Sequence, residues 1–275
     1  MEMMILPCAR GIYPSIIVKF NQRQARMNFR IGCCGFPVAR GKYFREFEVV
    51  ELRSTFYQLP QDKTAKRWRD QAPSNFEFVV KAWQAITHPL SSPSWRNVKA
   101  RPSKLRHKYG MLQPTKQNFD AWSATLTVCR SLHAKLCLIQ TPPKFGCTPR
   151  NIRHATQFFR EIDRDRLILA WEPRGDWNEN PEQVRRICER LELLHVVDLL
   201  RKFPAKSGDL GYFRLHGLGG KIVNYAYEYT GQDLARLSHE LSLLTEKGLK
   251  QAYVMFNNIT MFNDAIRFRD LQLAE

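Results

Sequence analysis

The sequence predicts a single-domain α/β protein of the TIM type, in which alternating strands and helices close into a barrel. Three observations support this fold class: about eight short apolar segments, helical patterns between most of them, and a length of 275 residues. Barrels of this kind form one domain at that size. A doubly wound open sheet is the alternative, but "GCCGFP" after the first strand lacks the G-x-G-x-x-G spacing of the phosphate turn that such sheets usually carry.

The predicted strands are short runs of β-branched, aliphatic and aromatic residues. Runs of this kind are typical of parallel strands that are buried on both faces. The strands are expected at 29–34, 48–54, 76–82, 135–140, 167–172, 195–200, 212–217 and 252–258.

Helix signals lie between most of these strands. Thr148-Pro149 and Asn180-Pro181 each place a capping residue before a proline at the first helical position. The segment 232–248 carries leucines at helical spacing and ends at Gly248, a residue that favours helix termination. Further helices are expected at 118–134 and, with a weaker pattern, at 62–72.

Polar residues recur at the carboxyl ends of the predicted strands. Arg214 and His216 are two residues apart on the seventh strand, so both side chains point to the same side. The carboxyl ends of all barrel strands meet at one mouth, where active sites of this fold lie, so the sequence predicts a polar pocket there. The strand-end polar residues are Glu51, Lys81, Gln140, Glu172, Asp198, Arg214, His216, Asn257 and Asn258.

Several motifs also carry a resemblance to a known family. "VVELRSTFYQLP", "FVVKAWQAITHP", "LIQTPPKF", "AWEPRGDW", "YFRLHG" and "MFNN" resemble the YecE-like family, the domain of unknown function 72, in the family's order and from Ile31 to about Phe268. The resemblance implies a TIM barrel and leaves the reaction open. "CCGFP" departs from the family's commoner Ser-Gly-Trp/Tyr first loop. The polar signature that the resemblance implies is Glu51, Ser54, Thr55, Tyr57, Lys81, Thr87, His88, Gln140, Glu172, Arg214, His216, Gly217 and Asn257.

The candidate catalytic groups allow more than one chemistry. Glu51 and Glu172 suit acid and base roles, or they could hold a divalent Mg²⁺ or Mn²⁺ ion together with Asp198 and His216. The alternative is a closed salt-bridge network in which the carboxylates neutralise basic neighbours. Lys81 suits a Schiff base if it is desolvated, whereas a carboxylate neighbour would keep it protonated. The predicted catalytic residues are Glu51, Lys81, Glu172, Arg214 and His216.

The chain is strongly basic, with a formal net charge of +17. Such an excess favours nucleic acid or another polyanion as a partner, although a solvated basic surface would give the same count. A predicted insertion at 91–118 contains no acidic residue and interleaves Trp95 and Tyr109 with cations, so it indicates nucleic-acid or phosphate binding, or else a flexible solvated loop. The predicted substrate-binding residues are Tyr57, His88, Gln140, Tyr225, Asn257, Lys99, Arg101, Lys104 and Arg106.

Two classes of function follow from these features. The first is an enzyme that acts on a phosphorylated or nucleic-acid substrate at the barrel mouth, with a metal-assisted hydrolase or lyase as the reaction class. The second is a non-catalytic module that binds nucleic acid through the insertion at 91–118. A small-molecule enzyme with no relation to nucleic acid is a third reading.

The ends of the chain and its cysteines suggest a cytoplasmic protein. The first 26 residues are basic and nearly acid-free, which weakly resembles a transit peptide; we expect instead an extension outside the core, with the barrel domain at 27–275. No apolar run approaches the ~20 residues that cross a bilayer. The seven cysteines include no C-x-x-C pair and fit a reducing compartment.

Overall fold

The structure is a computed structural model that describes residues 28–96, 98, 101–102, 104–220 and 223–274. The predicted extension at 1–26 and the predicted substrate-binding residue Lys99 lie outside the described residues.

All neighbouring strands of the described chain pair in parallel, in the spatial order β6-β5-β4-β3-β2-β1-β8-β7. A further bridge joins Val197 to Phe213, and Arg214 N donates to Val197 O at 2.9 Å, which brings the two edges together. The barrel is therefore nearly closed, and the TIM-type prediction is confirmed over the open sheet. The strands are β1 Asn28–Cys34, β2 Val49–Leu52, β3 Glu77–Lys81, β4 Leu136–Gln140, β5 Ile168–Glu172, β6 Leu194–His195, β7 Leu210–Leu215 and β8 Gln251–Phe256.

Helices cover the outside of the barrel. The sequence predicts α3 to α7 but not α1, α2 or α8. The helices α1 and α2 are too short to show a helical period. The sequence of α8 does carry a helical pattern, because its buried residues Phe262, Ala265 and Phe268 lie at helical spacing. The helices are α1 Arg40–Glu46, α2 Ser54–Tyr57, α3 Asp62–Gln71, α4 Lys116–Ser131, α5 Pro149–Glu161, α6 Pro181–Arg190, α7 Gly231–Glu246 and α8 Met261–Ala274.

Helix ends follow the local chemistry of the sequence. Thr148 caps α5 by accepting from Asn151 N, with Pro149 at the first helical position. Thr230 and Asp233 form a capping box at the start of α7. Beyond the end of α7, Gly248 adopts a φ of 102° and Leu249 N donates back to Leu244 O, as the stop signal predicts.

The predicted sixth strand at 195–200 is wrong in length, because the chain turns at Asp198. The Asp198 carbonyl accepts from the amides of Arg201 and Lys202, and its carboxylate accepts from Leu200 N. Only Leu194–His195 and the bridge at Val197 remain in the sheet. Residues 196–209, all of which the structure describes, form no helix, so the outer layer is thinner beside β6 and β7.

The apolar core has two parts that meet at the strands. The larger lies between the sheet and the helices and contains the buried Trp122, Phe158 and Trp171. The smaller fills the barrel interior with residues that include Val79 and Leu138. No helix of the described residues is long and apolar enough to cross a membrane.

Candidate active site at the carboxyl end of the barrel

A layer of polar side chains lies inside the barrel, directly above the apolar interior, because side chains on a β-strand alternate with a period of two residues. Val49, Val79, Leu138, Ala170 and Tyr212 pack in the interior core. The residue two positions further along each strand points to the same inward side. These second residues are Glu51, Lys81, Gln140, Glu172 and Arg214. The predicted strand-end residues therefore converge because of strand geometry.

Arg214 lies at the centre of this layer. Its Nε and Nη2 each donate to Glu51 at 2.8 Å, and its Nη1 donates to Glu172 Oε2. Tyr212 Oη adds a hydrogen bond to Glu51 Oε2 at 2.8 Å. Arg214 is 1% exposed and Glu51 is fully buried. Arg214 therefore joins two carboxylates on different strands, with two-point contact to Glu51.

Both carboxylates are held ionised. Burial alone would raise the pKa of Glu51, but the charges of Arg214 and Lys81 outweigh it and lower the pKa. Burial likewise opposes ionisation of Glu172, whose pKa nevertheless lies well below its ordinary value because Arg174 and Arg214 flank it. The salt-bridge network predicted for Arg214 is therefore present.

The outer oxygen of Glu172 receives a second set of contacts. Arg174 Nε and Nη2 donate to Glu172 Oε1 at 3.0 and 2.8 Å, and His216 Nε2 lies 3.2 Å from the same atom. Asn257 Nδ2 lies 3.0 Å from His216 Nδ1 and can only donate to it, which assigns the ring hydrogen to Nε2. Burial lowers the pKa of His216 to about 4, so the imidazole is neutral at physiological pH.

The surroundings of Lys81 differ from those expected in a closed salt-bridge network. Its Nζ donates to Gln140 Oε1 at 2.8 Å and lies 4.3 Å from the centre of the Phe56 ring. No carboxylate of the described residues forms a salt bridge with it. Burial and the neighbouring Arg214 charge lower the pKa of Lys81 to about 7, although Glu51 and Glu172 act in the opposite direction. Of the two cations in the alternative salt-bridge network, Arg214 therefore contacts both carboxylates, and Lys81 forms no salt bridge among the described residues.

The divalent-metal arrangement does not fit this geometry. The Arg214 guanidinium lies between Glu51 and Glu172, where a shared cation would have to lie. Asp198 instead accepts from His216 N at 2.9 Å and from Leu200 N, so it fixes backbone at the end of β7. Among the described residues, no group of three or more His, Cys, Asp or Glu side chains is placed to hold a metal ion.

A pocket of about 240 Å³ adjoins the network at the ends of β5, β6 and β7. Glu172 and Asp198 bring two carboxylates to its wall, and Arg174, Arg201 and Lys202 bring three cations. Because Glu172 is also paired with the buried Arg214, the wall carries an excess of positive charge. These three cations are not among the binding residues predicted from the sequence. Arg174 lies two residues after Glu172, and this spacing could have indicated that both side chains point to the same side. Nothing in the sequence indicates that the loop residues Arg201 and Lys202 lie here.

Three other predicted binding residues have different surroundings. The His88 ring lies 4.9 Å from Phe56, and burial, together with the charges of Lys81 and Arg174, lowers its pKa to about 3. The Tyr225 ring lies 6.3 Å from His216 and is 45% exposed. Tyr57 is 43% exposed and lines a separate pocket of about 310 Å³ with Phe36 and Arg53.

The basic segment 91–118 is anchored at both ends of its described part. Trp95 is fully buried and donates to His88 O at 3.3 Å. Gly110 N and Leu112 N donate to Ala85 O and Ile86 O, so the far end pairs with the chain that follows β3. The two described ends of the segment therefore pack against the chain that follows β3, whereas residues 97, 99–100 and 103 lie outside the described residues. Three of its predicted binding cations, Arg101, Lys104 and Arg106, are exposed.

Comparison with known proteins identifies a family whose model matches most of the chain. The model of the family described as protein of unknown function DUF72 matches residues 41–271. The UPF0759 protein YunF of Bacillus subtilis is 25% identical over 245 residues, which cover 78% of this chain and 79% of YunF.

Two solved structures share the fold. A DUF72 family protein of Enterococcus faecalis is 18% identical with a TM-score of 0.67, over 89% of this chain and 95% of that one. A DUF72 family protein of Thermotoga maritima is 21% identical with a TM-score of 0.64, over 90% of this chain and 100% of that one. The family match agrees with the YecE-like motifs, and the chain belongs to the DUF72 family.

Proposed function

We propose that this protein is an enzyme that acts on a phosphorylated carbonyl compound at the barrel mouth, with Lys81 as the reacting amine. The observation that carries the proposal is the surroundings of Lys81. The residue is 6% exposed, and its amine is hydrogen-bonded to a neutral amide and has a pKa of about 7. About half of such amines are uncharged at neutral pH, and only the uncharged amine is a nucleophile.

The cationic pocket supports the phosphate part of the proposal. Arg174, Arg201 and Lys202 line it, and guanidinium and ammonium groups are the side chains that bind phosphate. A short chain of contacts connects it to Lys81. Gln140 Oε1 accepts from Lys81 at 2.8 Å and from Arg214 Nη1 at 3.4 Å, and Arg214 contacts Glu172 in the pocket wall. Lys81 does not line this pocket, so the proposal requires that the substrate reach from the phosphate site past Gln140 to the amine.

The proposed reaction begins with attack of Lys81 Nζ on the carbonyl carbon. The C=O π bond breaks, a nitrogen proton moves to the oxygen, and a carbinolamine forms. A second proton converts the hydroxyl into water, which leaves as the protonated imine forms. The imine withdraws electrons from the neighbouring carbon, so that a bond there can break, and water later releases the product and the free amine. This is the lyase class without a metal.

The test is reductive trapping with sodium borohydride and glycolaldehyde phosphate at pH 7. Peptide mapping should locate the reduced adduct on Lys81, because a depressed pKa gives that amine the larger reactive fraction. Lys81→Met should remove this adduct. The matched control Lys116→Met changes an exposed lysine of α4 and should leave it in place.

Unphosphorylated glycolaldehyde tests the pocket. The preference for the phosphorylated probe should fall in Lys202→Met, because that variant removes one pocket cation and leaves Lys81 in place. Random labelling of surface lysines with equal yield in Lys81→Met would refute the role of Lys81. Equal trapping of both probes would refute the phosphate class while leaving the amine chemistry intact.

A second candidate function is a non-catalytic nucleic-acid-binding module that uses the segment 91–118. The observation in its favour is a set of exposed cations on an anchored segment that contains no acidic residue. Replacing Lys99, Arg101, Lys104 and Arg106 with glutamine should weaken binding of a single-stranded oligonucleotide. Each lost phosphate contact should reduce the slope of log affinity against log salt by about 0.7–0.9.

A charge-matched control distinguishes this segment from general basicity. Lys63, Arg67, Arg186 and Arg190 are exposed cations on α3 and α6, and their joint replacement removes the same charge. An equal loss of affinity in both variants would show that net charge, and not the segment, attracts the oligonucleotide.

A further inference from the structure

His88 lies close to Lys81 at the barrel mouth. The Lys81 amine lies 4.3 Å from the centre of the Phe56 ring, and the His88 ring lies 4.9 Å from the same ring in an edge-to-face contact. Burial lowers the pKa of His88 to about 3, and the charges of Lys81 and Arg174 act in the same direction. The imidazole is therefore neutral at physiological pH, and it lies within electrostatic range of both the amine and a cation that lines the proposed phosphate site.

The surrounding chain holds the backbone of His88 in place. His88 N donates to Gln84 O at 2.7 Å, and Trp95 Nε1 donates to His88 O at 3.3 Å. Gly110 packs so closely here that a Cβ atom added to it would lie 2.6 Å from the carbonyl carbon of His88. The two described ends of the basic segment therefore fix where His88 lies beside the Phe56 ring.

Thr87 assigns the ring hydrogen of His88. Thr87 Oγ1 lies 2.8 Å from His88 Nδ1 and has no other hydrogen-bond partner among the described residues. Because Thr87 is 1% exposed, its hydroxyl has to donate to this nitrogen, so the ring hydrogen of the neutral imidazole is on Nε2. Nε2 has no hydrogen-bond partner within the described part of the chain, and His88 keeps 7% of its surface exposed. The Nε2–H group is therefore available to a ligand.

A neutral imidazole can polarise a carbonyl group and stabilise the negative charge that develops on its oxygen. We infer that His88 Nε2–H donates to the carbonyl oxygen of the substrate while Lys81 Nζ attacks the carbon, an inference that rests on the proposed function. The Nζ lone pair forms the C–N bond, and the C=O π electrons move to the oxygen, where the hydrogen bond from His88 stabilises them. The proton that the oxygen then takes comes from Nζ, so His88 is unchanged at the end of the step.

The test measures how fast the Lys81 adduct forms with glycolaldehyde phosphate at pH 7. Sodium cyanoborohydride is added until the rate no longer rises with reductant, and peptide mapping quantifies the adduct. His88→Leu should lower this rate about a hundredfold, as expected for loss of one donor to a developing oxyanion. His88→Gln should keep most of the rate, because the glutamine amide can place an N–H group near the position of Nε2. The matched control His107→Leu changes an exposed histidine of the basic segment and should react like the wild type.

The pH profile separates this role from an effect on the amine itself. Because the His88 ring is neutral, His88→Leu should leave the midpoint of the trapping rate at the Lys81 pKa of about 7. Equal rates in wild type and His88→Leu, equal losses in the Leu and Gln variants, or a loss that disappears at pH 9 would overturn the role of His88 and leave the amine chemistry intact. Absence of a Lys81 adduct in the wild type would instead overturn the proposed function and this role with it.

Discussion

Replacing Lys81 with methionine tests the central electrostatic feature of the barrel mouth. Methionine has a similar length and needs no hydration, so it fits the space beside Phe56 without a charge. In the folded wild type the pKa of Lys81 is about 7, whereas a lysine in an unfolded chain has a pKa of about 10.4. Between these two values the unfolded state binds more protons than the folded state does.

The sign and size of the effect follow from that difference. Stability rises with pH wherever the unfolded state binds more protons, by about 1.4 kcal/mol per pH unit for one group. Because Lys81 is half titrated at pH 7, it adds about 2 kcal/mol to the free energy of unfolding between pH 7 and pH 9. Below about pH 6 both states are protonated and the contribution is flat. Lys81→Met should be the more stable protein at pH 6, and its advantage should shrink as the pH rises.

Urea denaturation of both proteins from pH 6 to pH 9 measures this effect. The difference between the two free energies removes the contribution of every other titrating group. Lys116→Met is the matched control, because it makes the same substitution at a lysine whose side chain is 80% exposed. A difference between wild type and Lys81→Met that does not change with pH would mean that Lys81 is charged at pH 7. The uncharged amine required by the proposed function would then be absent.

Three further outcomes are expected. Glu51→Gln leaves the buried Arg214 without one of its two charged partners, so the free energy of unfolding measured in urea should fall by about 3–5 kcal/mol. The control Glu182→Gln breaks an exposed pair on α6 and should have no measurable effect. Trp95→Ala should cost about 3–5 kcal/mol by the same measurement because it removes the buried anchor of the basic segment; stability like that of wild type would show that the segment is not anchored. A chain that begins at Met27 should keep the melting temperature of the full chain in calorimetry, and a large drop would place residues 1–26 in the fold.

The sequence alone predicts the barrel and the inward residues, and particular elements show why. Near the carboxyl ends of β2, β3, β4, β5 and β7, a polar residue lies two positions after an inward apolar residue. The two-residue period of a strand therefore points that polar residue inward as well. Helices with capping signals, such as α5 and α7, were equally readable. The short α1 and α2 gave no periodic signal.

Tertiary structure decided how the inward residues pair. Nothing in the local sequence distinguishes Lys81 from Arg214 as a partner for Glu51. In the structure Arg214 forms ion pairs with both carboxylates, and Lys81 donates a hydrogen bond to Gln140 instead. Arg201 and Lys202 reach their pocket because the chain turns at Asp198 and forms no helix before β7. The sequence determines the direction of a side chain on a regular element through backbone geometry. Its partners, its burial and hence its pKa depend on residues far away in the chain, which only the closed barrel brings within hydrogen-bonding distance.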